Sequence, residues 1–278
     1  MARHSHKKKK SGGISGAAIG GIALICLALA CLGALAAFYN LAPRAPALDH
    51  ASLCPVNGPD GITVVLVDAT DDLPEPGKRE AYGILDDLIT SLPAYSKLDI
   101  RVLDIAAQRS RSLFAKCNPG DGTGLSEWTA NPRIARARWL ENFRKPAREA
   151  VNSSLGAAKA ESSPIMAALQ DIAIDQFSSA ASQRAQKKLI VISDMLEFTR
   201  DYSQYPRAGD LSYERFKRSP AYLKFRTDLH GAEVRVEYVQ RKALPPRFDT
   251  LAHMDFWRQW TEDNRGSKFS AHRLQGVN

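Results

Sequence analysis

The chain has 278 residues, with 38 Lys and Arg against 30 Asp and Glu, and a formal net charge of +8. Five of those cations, Arg3 and Lys7 to Lys10, lie in the first ten residues. Beyond them the balance is 33 against 30, an ordinary excess of +3 that speaks against a nucleic-acid-binding surface.

The basic tail, 1–12, runs into an uncharged stretch from Ser11 to Leu41 built of Ala, Leu, Ile and Gly. About 20 such residues cross a bilayer core of about 30 Å, so 13–41 reads as one transmembrane helix. Five cations precede the span, Arg44 alone follows it closely, and no acidic residue occurs before Asp49. The positive-inside rule then puts the tail in the cytoplasm and the main domain outside it, in the periplasm of a bacterial envelope. Ala34-Leu35-Ala36 offers a small-x-small cleavage site, but the apolar region exceeds a signal-peptide core, which favours an uncleaved anchor. Gly12, Gly16 and Gly20 recur every four residues, a spacing that lets two helices approach as a homodimer, although Gly is common in membrane helices anyway.

Cys26 and Cys31 lie within the span and read as apolar packing residues. Cys54 and Cys117 are the two thiols beyond it, in a compartment that oxidises them, and read as a disulfide.

Residues 42–61 hold four prolines and two glycines and read as a stalk before a domain over 62–278. About 230 residues remain beyond the span, enough for one α/β domain with its own core. The first strand is 62–67. Apolar positions 81, 85, 88, 89 and 92 predict a helix over 78–92, and LDIRVLDI, 98–105, alternates as a strand. The segment SRSLFAKC returns antiparallel at the sheet edge if Cys117 is to meet Cys54, and 117–132 is a loop rich in turn formers. A helix covers 133–151, kinked or divided at Pro146. Another starts at Ser163-Pro164, with Ser163 as its N-cap. KKLIVISD, 187–194, and VRVEYVQ, 234–240, are strands, and 249–263 is a final helix whose Phe256, Trp257 and Trp260 pack on the sheet. Strand–helix alternation predicts a mainly parallel open sheet with helices on both faces.

In such a sheet the ligands bind beyond the carboxyl ends of the strands. Three loops there carry hard oxygen donors: Asp68, Thr70 and Asp72 after the first strand, Ser163 before a helix, and Asp194 closing LIVISD. This arrangement resembles the von Willebrand factor type A domain with its metal-ion-dependent adhesion site. That family's first loop reads D-x-S-x-S, matched here by Asp68-Ala69-Thr70-Asp71-Asp72. Its second loop supplies a Thr six residues before the Leu of an Ala-Leu pair, the position of Ser163 before Leu169. Its third supplies an Asp after a hydrophobic strand, matched by Asp194. The resemblance covers roughly 62–240 and implies a site for Mg2+ or Ca2+ made of Asp68, Thr70, Asp72, Ser163 and Asp194. It further implies a binding or scaffolding role toward an envelope protein, and no catalysis. The chain departs from the pattern where Asp72 replaces a Ser. An added carboxylate holds the cation more firmly but weakens its pull on an anionic partner. Three carboxylates at one empty site would also repel one another.

Two other readings stand beside it. The run Val64 to Asp68 and the segment 190–193 resemble haloacid-dehalogenase-like phosphatases, with Asp68 as nucleophile. The acid/base Asp expected two residues on is Thr70, so that chemistry lacks a partner. Alternatively the carboxylates only cap turns, in a structural domain whose metal site has decayed. No HExxH, GxSxG or Gly-Lys-Ser/Thr motif occurs.

Overall fold

The computed structural model describes residues 16–41, 46–68, 70, 73–125, 131–156, 161–205, 211–240 and 248–274. The chain divides into two compact units, Met1–Pro46 and Ala47–Asn278. The first contains α1, Gly16–Leu41, 26 uncharged residues with the segment Ile19–Leu41 long and apolar enough to cross a bilayer. At 1.5 Å per residue it is about 39 Å long. A Cβ added at Gly16, Gly20 or Gly21 would meet nothing within 4 Å.

In the second unit, six strands among the described residues form one sheet. They are β1 (Gly61–Val67), β2 (Lys97–Asp104), β3 (Arg109–Cys117), β4 (Gln186–Ser193), β5 (Glu233–Tyr238) and β6 (Lys268–Arg273). Their order is β3-β2-β1-β4-β5-β6, parallel throughout except for the antiparallel edge pair β2–β3. This is an open, mainly parallel α/β sheet of the doubly wound kind, the fold class expected from the sequence.

The central strands are continuous apolar runs because both faces are covered. Val64 and Leu66 of β1 meet Leu189 and Val191 of β4 on one face, under α5 (Ile165–Ile172), α6 (Tyr213–Lys217), α7 (Pro220–Lys224) and α8 (Thr250–Asp263). Val65, Val67, Ile190 and Ile192 point the other way, toward α2 (Glu75–Ser91), α3 (Pro132–Trp139) and α4 (Lys145–Ser154). Phe256, Trp257 and Trp260 of α8 are buried in the first of these clusters. Arg148 of α4 grips Asp86 of α2 with two hydrogen bonds of 2.5 and 2.6 Å, fixing those helices side by side.

The helix expected over 133–151 is divided, as Pro146 suggested, but the irregularity precedes the proline. Leu140–Arg144 is a π turn in which Lys145 N–H donates to Leu140 O, and α4 starts afresh with Pro146 as its second residue. A proline has no N–H to donate backward, so the first turn is where it fits. β6, α6 and α7 were not anticipated.

Residues 47–60, read from composition as stalk, fold against the lower rim of the sheet. Cys54 and Cys117 form a disulfide with Cα atoms 4.7 Å apart. Beside it Cys117 N–H donates to Ser52 O at 2.8 Å, and Gln186 N–H to Asp60 O at 3.2 Å.

Candidate functional site

β1 and β4 are neighbours whose chain connections depart in opposite directions, so a crevice opens beyond their carboxyl ends. Asp68 is the first residue past β1, Asp194 the first past β4. Asp68 N–H donates to Ile192 O at 2.9 Å, which extends the ladder up to the site and fixes the Asp68 backbone.

Four donors converge on the buried Asp68 carboxylate. Its Oδ1 accepts from Thr70 N–H at 3.0 Å and from Thr70 Oγ1 at 2.6 Å. Its Oδ2 accepts from Ser163 Oγ at 3.1 Å and from Ser193 Oγ at 2.8 Å. Three loops thus meet on one side chain, and all three hydroxyls are buried. Asp194 lies beside them, its Oδ1 accepting from Leu196 N–H at 2.9 Å. Asp72 lies outside the described residues.

Ser163 does not cap the helix it precedes. The N-cap position of α5 belongs to Pro164, which offers no side-chain hydrogen bond. The Ser163 backbone is held instead in an extended bridge with Phe198: Ser163 N–H donates to Phe198 O at 2.8 Å, and Phe198 N–H to Ser163 O at 3.1 Å. That conformation turns the hydroxyl toward β1, away from the helix axis. The cap comes from elsewhere in the chain, for Glu197 Oε2 accepts from Met166 N–H at 2.8 Å.

The loop after β4 is bent tightly to bring these groups in. Met195 sits in the left-handed region at φ 59°, a cost of roughly 1–2 kcal/mol for a side chain larger than Gly. Its N–H donates to Ser193 Oγ at 2.8 Å, and its carbonyl receives Trp257 Nε1 at 2.8 Å and faces His253 Nε2 at 3.1 Å. Burial holds His253 neutral by lowering its pKa to about 4. Burial pushes Glu197 up to about 8, with the nearby Asp68 charge acting in the same direction and the Met166 amide opposing it. Burial thus favours the neutral form of Glu197.

The side chains of Asp68, Thr70, Ser163, Ser193 and Asp194 offer oxygen, which suits a hard cation such as Mg2+ or Ca2+. Each hydroxyl already donates its one proton to Asp68 and so keeps a lone pair to offer an ion. Among the described residues no three His, Cys, Asp or Glu side chains are grouped to hold a metal. Among the described residues, the Thr70, Ser163 and Ser193 hydroxyls stand beside Asp68 as oxygen donors for an ion. Ser193 entered the sequence reading only as the end of the 190–193 run and not as a partner of Asp68, and Glu197 did not enter it. Ser193 closes an apolar run next to Asp194, a signal that could have been taken; Glu197 stands in an aperiodic loop.

No family model matches this chain, and no curated protein matches its sequence. Solved structures are similar to it over about three quarters of its length. One is a von Willebrand factor type A protein from Catenulispora acidiphila, at 15% identity and TM-score 0.37, covering 74% of this chain. The chain spans only 43% of that structure. The SpRpn10 VWA domain is similar at 7% identity and TM-score 0.38, covering 77% of this chain and 89% of its own. An aerotolerance-related membrane protein from Bacteroides fragilis is similar at 11% identity and TM-score 0.33, covering 76% and 91%. At these values the likenesses carry no argument, and partners and chemistry are argued from the residues of this chain.

Proposed function

We propose that this is a membrane-anchored binding protein, tail in the cytoplasm and domain in the periplasm. Its domain presents a divalent-cation site at the carboxyl ends of β1 and β4 to a protein partner in the envelope. The observation that carries this reading is the convergence on Asp68 of the Thr70 hydroxyl from its own loop, the Ser163 hydroxyl from the segment before α5 and the Ser193 hydroxyl from the end of β4. A turn cap needs one local contact, which Thr70 supplies; the other two hydroxyls come from distant parts of the chain. The α1 helix, with Arg3 and Lys7 to Lys10 on its N-terminal side against Arg44 beyond its other end, supports the anchor and its orientation. Its Gly16 and Gly20 offer a face on which two copies would pair.

The same contacts weigh against phosphate-ester hydrolysis. A nucleophilic carboxylate needs an unencumbered oxygen, and each oxygen of Asp68 accepts two hydrogen bonds. The test is thermal unfolding of the detergent-solubilised chain with and without millimolar Mg2+ or Ca2+, beside an assay with a generic phosphoester. A cation-dependent rise in Tm, lost in Ser163→Ala, and no turnover are expected. Turnover abolished by Asp68→Asn would establish the hydrolase instead, and neither effect would leave a structural domain.

A further inference from the structure

We propose that Glu197 is the positioning residue of this site: by locking the first turn of α5 to the loop after β4, it sets where the Ser163 hydroxyl stands over Asp68. The first turn of any helix has N–H groups without partners. At α5 the two residues that would ordinarily serve cannot, since Pro164 caps nothing and Ser163 is committed to Asp68. Met166 is fully buried, so water does not take the place of a cap. Glu197, itself 0% exposed, supplies the acceptor at 2.8 Å.

The grip is two-handed. The Glu197 side chain holds Met166, and the backbone of the next residue, Phe198, bridges Ser163 in both directions. The segment from Ser163 to Met166 is thereby fixed at both ends to one stretch of the loop. That stretch is rigid in turn: Glu197 N–H donates to Gln204 Oε1 at 3.0 Å, and Gln204 N–H to Glu197 O at 2.9 Å. Nothing else among these contacts ties the α5 turn to the third loop.

The function inferred above enters only through the last measurement. In the full-length chain in detergent, hydrogen exchange of the Ser163–Met166 amides is compared among the parent and Glu197→Gln, Glu197→Ala and Glu197→Asp. Gln keeps an acceptor at the same reach and should leave exchange within about threefold of the parent. Ala removes the acceptor, and Asp is one methylene too short. Both should raise exchange of this segment by about tenfold, the scale of one lost cap, while β2 is unchanged. If Glu197→Ala does not fold, Glu197→Asp gives the same comparison. Unchanged exchange in the Ala and Asp variants, or an equal rise in β2, overturns the proposal. A Mg2+ titration read by Tm should then show a weakened half-saturation in Glu197→Ala that Glu197→Gln restores. Normal Mg2+ binding by Glu197→Ala would overturn the role at the site. Should the parent take up no Mg2+, the cation reading fails and the exchange comparison still decides the role of Glu197.

Discussion

Arg101 and Asp99 lie two residues apart on one face of β2, joined by a 2.8 Å hydrogen bond from Nε to Oδ2, and both side chains are inside the protein. The guanidinium goes on to donate to Ser110 Oγ of β3 at 2.9 Å and to Asp175, in the π turn that continues α5. Ser110 Oγ donates to Asp171 of α5 at 2.5 Å, and Ser112 Oγ to Asp99 at 2.7 Å. Burial opposes the charge on Arg101, and Asp99 and Asp175 more than offset that opposition, so its pKa is raised. α5 therefore docks on β2 and β3 through a closed polar network, where the rest of the sheet uses apolar contact.

Removing the guanidinium leaves Asp99 buried without its counter-charge. Arg101→Ala should lower unfolding stability by about 3–5 kcal/mol in urea titrations, and Arg101→Lys should recover only part of it. A loss under about 1 kcal/mol, the value of an exposed pair, would mean that the network does not dock α5.

Much of this fold is written in the sequence because burial dictates pattern. The centres of β1 and β4 are apolar runs, and β2 alternates because Leu98, Ile100 and Val102 join the apolar cluster on one face while Asp99 and Arg101 form the polar network on the other. β6 was not legible: KFSAHR has two apolar positions, three basic residues and an exposed edge. α6 and α7, at five residues each, are too short to display a period. At the site, oxygen side chains at strand ends were visible as candidates, and Asp68, Thr70 and Ser163 do meet. The role of Ser163 was misread, since a Ser before Pro looks the same whether it caps a helix or turns away from it. Glu197 could not be found, because a Glu in an aperiodic loop carries no sign that it is buried.

Reduction tests the link between the lower rim and its first strand. The disulfide closes a loop between residues 63 apart, worth about 4 kcal/mol in the chain-entropy model, an upper figure. Cys54 and Cys117 should resist thiol labelling until a reductant is added, and reduction should lower Tm by several degrees. Labelling of both in never-reduced protein would contradict the bridge.

Two buried groups give stability opposite slopes with pH. Glu197 is raised from 4.5 to about 8, so its contribution is full below pH 4.5 and is lost as pH rises to 8. His253 is lowered from 6.5 to about 4, so its contribution is full above pH 6.5 and is lost as pH falls to 4. The two oppose each other between pH 4.5 and 6.5, and Glu197 acts alone from 6.5 to 8. Relative to Glu197→Gln, the parent should lose about 1.4 kcal/mol per pH unit in that upper window. Parallel stability curves for the two proteins across pH 6.5–8 would show that Glu197 is ionised in the fold.

Asp68→Ala separates charge repulsion from hydrogen bonding in the cation-free protein. Counting carboxylates alone, its removal ought to relieve repulsion and stabilise the cation-free protein. The contacts predict the reverse. Thr70 Oγ1, Ser163 Oγ, Ser193 Oγ and the Thr70 amide all give their hydrogens to Asp68 in a buried crevice, and each would lose its acceptor. One buried donor left unsatisfied costs about 1–3 kcal/mol, so even with water entering the gap the variant should be less stable by at least that much without cation. Asp68→Asn, which keeps one acceptor oxygen, should fall between variant and parent. In the parent, a cation at a hundred times its Kd would add about 2.7 kcal/mol, and Asp68→Ala should show none of it. Chemical unfolding with EDTA and with excess Mg2+ reads both effects in one series. An Asp68→Ala protein as stable as the parent in EDTA would mean that the three loops do not depend on Asp68 to meet, and the site proposed here would lose its centre.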